Sequence, residues 1–85
     1  MKSKKLLLRL AEGRIHNVAF NEMANLAQAF GFQLKRVSGS HHIFAHPAIP
    51  ELLNLQQVKG EAKPYQIRQF LRVVEKYSLR LEEGE

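Results

Sequence analysis

Three of the four histidines stand close together, His41, His42 and His46, in Gly39-Ser40-His41-His42-Ile43-Phe44-Ala45-His46. Imidazole changes charge near neutral pH, so a histidine can take a proton from a hydroxyl and give it back. Lys35 and Arg36 stand just upstream, and Ser40 adds a hydroxyl. Cations beside a proton acceptor suit a phosphodiester of RNA. The base removes the proton of a ribose 2′-hydroxyl, the freed oxygen attacks the adjacent phosphorus, and the cations offset the charge that gathers there. Such chemistry needs no cofactor, and DNA escapes it for want of the 2′-hydroxyl. Lys59 and Lys63 flank the entry to a predicted helix at Pro64. Unpaired amides at a helix start attract phosphate, so both lysines join Lys35, Arg36 and Ser40 as candidate RNA- or phosphate-binding residues.

A metal reading of the same histidines fails on geometry. Adjacent side chains on a strand point to opposite faces, so His41 and His42 diverge. His42 and His46 share a face but lie about 13 Å apart, whereas imidazole nitrogens must each sit about 2 Å from a common zinc. The chain has no Asp, and no Glu lies near the block.

The elements that must position these residues are legible from periodicity. Residues 3–12 predict a short helix capped by Ser3, with Leu6, Leu7 and Leu10 on one face and Gly13 at its end. His16, in the connector that follows, is a plain surface residue. Residues 21–30 predict a second helix capped by Asn21, with Met23, Leu26, Ala27 and Phe30 at helical spacing. Residues 32–37 alternate as a strand, placing Phe32, Leu34 and Arg36 on one side and Lys35 on the other. Ser38-Gly39 signals a hairpin turn. Residues 41–46 and 52–56 predict two more strands, and 58–63 a loop. Pro64 suits a first helical turn, and Ile67, Phe70, Leu71 and Val74 make the clearest amphipathic pattern in the chain. Phe70 and Leu71 are predicted core, with Arg68 and Arg72 facing solvent. The order α-α-β-β-β-α predicts an α+β fold, a three-stranded antiparallel sheet with helices packed on one face.

Composition narrows the function classes. Eighty-five residues make one domain. With no cysteine there is neither a disulfide framework nor a thiolate metal site. No run approaches the roughly 20 apolar residues that span a bilayer. The opening Met1-Lys2-Ser3-Lys4-Lys5-Leu6-Leu7-Leu8 is cut by Arg9 and Glu12 and lacks a cleavage site, unlike a secretion signal. The expected location is the cytoplasm. Residues 1–80 hold all 13 Lys and Arg against five Glu, a charge of +8, and Glu82, Glu83 and Glu85 bring the whole to +5. A basic body attracts polyanions.

The residues that carry this chemistry also resemble a known family. Gly31-Phe32, Arg36, Gly39-Ser40-His41-His42-Ile43-Phe44, Asn54-Leu55-Gln56 and Lys63-Pro64-Tyr65-Gln66-Ile67-Arg68-Gln69-Phe70-Leu71 resemble the HicA-type mRNA interferase toxins of bacterial and archaeal toxin–antitoxin pairs. The likeness covers about residues 18–78. It implies a fold similar to a double-stranded-RNA-binding domain (dsRBD-like). It also implies RNA, chiefly mRNA, as substrate and a HicB-type antitoxin as the partner that occludes the site. The family's active histidine follows Gly-Ser, which maps to His41. Residues 1–17 form an N-terminal helical extension in this reading, and 79–85 an acidic tail. Residues 52–63 lack the family's Pro-x-His feature, so no second catalytic histidine carries over.

The reading that results is the toxin of a toxin–antitoxin pair, a metal-independent endoribonuclease with His41 as general base. Its alternative is a non-catalytic RNA-binding domain using the same basic surface. A third is a structural module whose charge serves only an acidic protein partner.

Overall fold

In the computed structural model, which describes residues 2–81, the predicted periodicities become α1 (Lys2–Ala11), α2 (Phe20–Ala29), β1 (Gln33–Ser38), β2 (His41–Ala45), β3 (Leu52–Val58), β4 (Glu61–Ala62) and α3 (Pro64–Lys76). The strands form one antiparallel sheet in sequence order. Phe44 of β2 and Leu53 and Leu55 of β3 bury one face of it. They join Leu6 and Leu10 of α1, Met23, Leu26 and Ala27 of α2, and Ile67 and Phe70 of α3 in a single apolar cluster. Helices α2 and α3 therefore cover the same face of the sheet, with α1 packed against α2, and no described helix lies over the other face. The fold is α+β. No helix among the described residues is long and apolar enough to cross a membrane.

The sheet has four strands where the sequence predicts three. Residues 58–63 are not a loop but a tight hairpin. Lys59 and Gly60 both take positive φ, 54° and 78°, the two-residue geometry that matches strand twist. Val58 then pairs with Glu61 and Gln57 with Ala62. The outer edge of β4 meets the segment before α2: the Ala62 amide donates to the Val18 carbonyl at 3.0 Å, and the Phe20 amide to the Gly60 carbonyl at 2.9 Å.

That contact also corrects the predicted caps. Helix α2 begins at Phe20 behind an extended Ala19 with no side-chain cap bond, and Asn21 lies inside its first turn. The Phe20 amide, an orphan donor of the helix start, is satisfied by the Gly60 carbonyl of the β3–β4 turn instead. Ser3 likewise lies within α1 and is buried, so it does not cap.

A buried amide closes the other end of β4. The Lys63 carbonyl accepts from the Gln66 and Ile67 amides to open α3, so it is no longer free for β3. Gln66, 2 % exposed, supplies the acceptor: its Oε1 takes the Gln56 amide at 2.6 Å. One side chain thus stands in for a strand residue where the chain has turned into a helix.

Phe70 packs against Phe30 and Phe32 with ring centroids 5.5 and 6.0 Å away. Leu71 is half-buried at the margin of the cluster rather than inside it. Arg68 and Arg72 are exposed, as predicted. The C-terminal end of α3 is tied to the β2–β3 connection. Lys76 Nζ donates to Glu51 Oε2 at 2.8 Å and the Tyr77 hydroxyl donates to the same oxygen at 2.7 Å. The acidic residues Glu82, Glu83 and Glu85 lie outside the described residues.

Two measurements check this account. Phe70→Ala should cost about 3–5 kcal/mol in urea unfolding, the usual toll for a buried aromatic; an unchanged midpoint would refute the packing. The Lys76 and then the Tyr77 hydrogen bonds hold the Glu51 carboxyl below its ordinary value of 4.5, and Glu51 in turn raises Lys76 and Tyr77. A depressed carboxyl stabilises the fold above its unfolded value and loses that effect as pH falls through its folded value. The melting-temperature gap between wild type and Glu51→Gln should therefore shrink steadily below pH 4.5. A gap independent of pH would show that this contact adds no linked stability.

Candidate active site

A two-residue turn delivers the histidine block. Ser38 pairs with His41, leaving Gly39 and Ser40 to reverse the chain. Gly39 has φ +59° and nothing within 4 Å of where a Cβ would sit. The backbone, not space, demands glycine there. β2 then starts at His41, and Phe44 is buried at 1 % exposure.

The three clustered histidines have three different surroundings. His42 shares the Phe44 side. Its ring lies 4.5 Å from that of Phe20, and its Nδ1 donates to the Ser40 carbonyl at 3.2 Å. His46 has both nitrogens engaged. Nδ1 accepts from the Ala48 amide at 3.0 Å, and Nε2 donates to the Phe30 carbonyl at 3.0 Å, with Phe32 against the ring. Only His41 lies on the open face. Among the described residues no three His, Asp or Glu gather to hold a metal ion.

On the open face His41 is ordered by amides from β3. Its Nδ1 is 3.3 Å from Asn54 Oδ1. An amide oxygen only accepts, so Nδ1 carries the proton and Nε2 presents its lone pair. Gln56 pairs directly across from His41, and its Nε2 donates to Ser40 Oγ at 3.2 Å. The Ser40 hydroxyl is therefore held beside the histidine. Sequence reasoning did not assign Asn54 or Gln56 a role. Their signal was the apolar–amide alternation Leu53-Asn54-Leu55-Gln56, which presents two amides on one face of a strand.

The cations reach this face through an irregularity. Leu34 pairs with Phe44 and Arg36 with Ile43, so Lys35 is an extra residue in β1. A bulge of this kind re-aims side chains. The predicted alternation set Leu34 and Arg36 together and Lys35 opposite. In the structure Leu34 falls on the helix side with Phe44, whereas Arg36 joins Ile43 on the open side. Lys35 Nζ donates to Gln33 Oε1 at 3.1 Å, and Gln33 pairs with Ala45, which places Lys35 on the open side too. Two neighbouring cations thus share the face of His41.

Lys63 and Lys59 are placed by β4. Continuing its register one step sets Lys63 across from Gln56, in the row that holds His41. Lys59 sits farther out, at the hairpin tip. Neither ion pair among the described residues, Arg14–Glu12 or Lys76–Glu51, uses a cation of this face.

The family described as HicA toxin of bacterial toxin-antitoxin matches residues 20–75. That span runs from the first residue of α2 almost to the end of α3 and leaves α1 outside. Comparison with curated proteins and with solved structures returned no match.

The Asn54 contact predicts a measurable tautomer. In ¹⁵N NMR at a pH where His41 is neutral, its Nδ1 should show the protonated shift and Nε2 the bare one. Asn54→Leu should erase that preference, since free imidazole favours the other form. An unchanged His41 spectrum in Asn54→Leu would remove Asn54 from the site.

Proposed function

The chain belongs to the HicA toxin family of toxin–antitoxin systems, and on that premise we propose that it is a metal-independent endoribonuclease that cleaves mRNA with His41 as general base. The observation that carries the proposal is the position of His41. It alone of the clustered histidines lies on the uncovered face, with Nε2 free and Lys35 and Arg36 nearby.

The chemistry follows from that geometry. RNA lies across the open face with a phosphate near Lys35 and Arg36. His41 Nε2 takes the 2′-hydroxyl proton of the preceding ribose. The 2′-oxygen bonds to phosphorus as the bond to the 5′-oxygen breaks, leaving a 2′,3′-cyclic phosphate and a 5′-hydroxyl. The 5′-oxygen takes its proton from water. Asn54 holds the imidazole in the tautomer that makes Nε2 the base. Ser40, Lys59 and Lys63 add phosphate contacts along the strand, and the cations stabilise charge that develops on the phosphoryl oxygens.

The family membership supports a HicB-type antitoxin as partner, and the open face is where such a protein would occlude His41. The run α2-β1-β2-β3-α3, with both helices on one side, supports a dsRBD-like fold, extended here by β4. Residues 18–78 are then the ribonuclease unit. The extension 1–17 adds Leu6, Leu10 and Ile15 to the same core. The working location is the cytoplasm, where mRNA is.

Induced expression tests the proposal. Wild type should arrest bacterial growth with loss of mRNA, and its fragments should carry 2′,3′-cyclic phosphate. His41→Ala should do neither, with cleavage in vitro down about 10²–10⁴-fold and RNA binding nearly unchanged. Equal arrest by both proteins would exclude His41 as the base. Salt-sensitive RNA binding without cleavage by either would favour the non-catalytic RNA-binding domain.

A further inference from the structure

An exposed aromatic borders the row that holds His41. Tyr65, in the first turn of α3, is 51 % exposed although the helix buries Gln66 and Ile67 beside it. Its ring is not loose. Gln66 Nε2 donates to the Tyr65 hydroxyl at 3.4 Å, and Oε1 of the same Gln66 holds the Gln56 amide at 2.6 Å. Gln56 in turn pairs with His41. The ring is thus anchored, through one amide side chain, at the edge of the strand that faces His41.

A cation accompanies the ring. Lys63 Nζ stands 5.7 Å from the Tyr65 centroid, and Lys63 occupies the row of His41 and Gln56. Two strand spacings separate that position from His41, about 10 Å. This is within reach of a neighbouring nucleotide on an RNA strand whose phosphate lies at His41. An exposed aromatic beside a cation offers a stacking surface for a base and a charge for its phosphate. Any base can stack, but only if its face is free. Bases in a duplex are stacked on one another and cannot reach a protein ring.

We propose that Tyr65 and Lys63 form a nucleotide subsite that takes an unpaired base of single-stranded RNA next to the phosphate held at His41. The subsite rests on the reading of this face as RNA-cleaving and specifies its substrate class. It makes single-stranded RNA, not duplex, the preferred ligand. Lys63 binds the phosphate of the stacked nucleotide, and Tyr65 sets which stretch of strand is engaged.

The chain has two tyrosines and no tryptophan, so in a Tyr77→Phe background Tyr65 is the only strong fluorophore. The probe is a short single-stranded 2′-O-methyl RNA, which cannot be cut because its 2′-oxygen is blocked, compared with the same strand in a duplex. The single strand should bind and quench Tyr65 emission. Measured for all variants by the anisotropy of a dye on the RNA strand, Tyr65→Ala should weaken binding about tenfold or more, while Tyr65→Phe stays within about twofold. Lys63→Ala should weaken it and lower the salt slope by about one. Circular dichroism confirms that Tyr65→Ala folds, since the ring lies outside the core.

Equal binding by wild type and Tyr65→Ala would overturn the subsite. Equal affinity for the duplex, with equal quenching, would overturn it as well. If Tyr65→Ala is indifferent while His41→Ala still abolishes cleavage, the subsite alone fails. If wild type binds no RNA at low salt, both the subsite and the ribonuclease reading fall.

Discussion

Burial of Phe44 is the constraint on which the site depends. Side chains on a strand alternate, so fixing one residue in the core fixes its neighbours. With Phe44 at 1 % exposure, His42 must turn inward, where it packs on Phe20. His41 must then turn outward, two strand positions after a glycine turn that leaves room above it. A slip of one residue would exchange the two imidazoles and place His42 on the open face. The apolar core and the placement of His41 on the open face are therefore one decision about register.

Around that decision, the structure satisfies its backbone by substitution. Two backbone amides find acceptors from an unexpected direction. The start of α2 is held by the β3–β4 turn through the Phe20 amide. The edge of β3 beyond Ala62 is held by the Gln66 side chain. A buried amide hydrogen without a partner costs about 1–3 kcal/mol, a large share of the stability of a domain this small. These contacts also link the elements that frame the site. Gln66 joins α3 to the residue opposite His41, so the packing of the last helix and the order of the strand that carries His41 are coupled.

The charge pattern follows the same logic. A regular β1 would split Lys35 and Arg36 between the two faces. The bulge turns both to one side at the cost of one residue's pairing. It also blunts an exposed edge strand that would otherwise invite pairing with other chains. The cations that suit a phosphate are thus the same feature that keeps the edge from propagating the sheet.

Much of this was legible in the sequence because it depends on local rules. Helical spacing in 64–77 found Phe70 and the exposed Arg68 and Arg72. The period of two separated His41 from His42. Ser38-Gly39 marked the turn one residue early, since Ser38 still pairs with His41 and the chain reverses at Gly39-Ser40, and the Gly-Ser-His-His block pointed to the HicA family that the match over residues 20–75 establishes. What the sequence left open were questions of which distant backbone group meets which. The bulge at Lys35 depends on how β1 aligns with β2. β4 exists because Lys59 accepts positive φ and because Ala62 finds Val18 across the chain. Asn21 caps nothing because the helix already begins at Phe20, whose amide the β3–β4 turn holds. Asn54 orients His41 only once β3 lies beside β2. Local propensity acts within a few residues, and hydrogen-bond partners across a sheet are chosen by the whole chain.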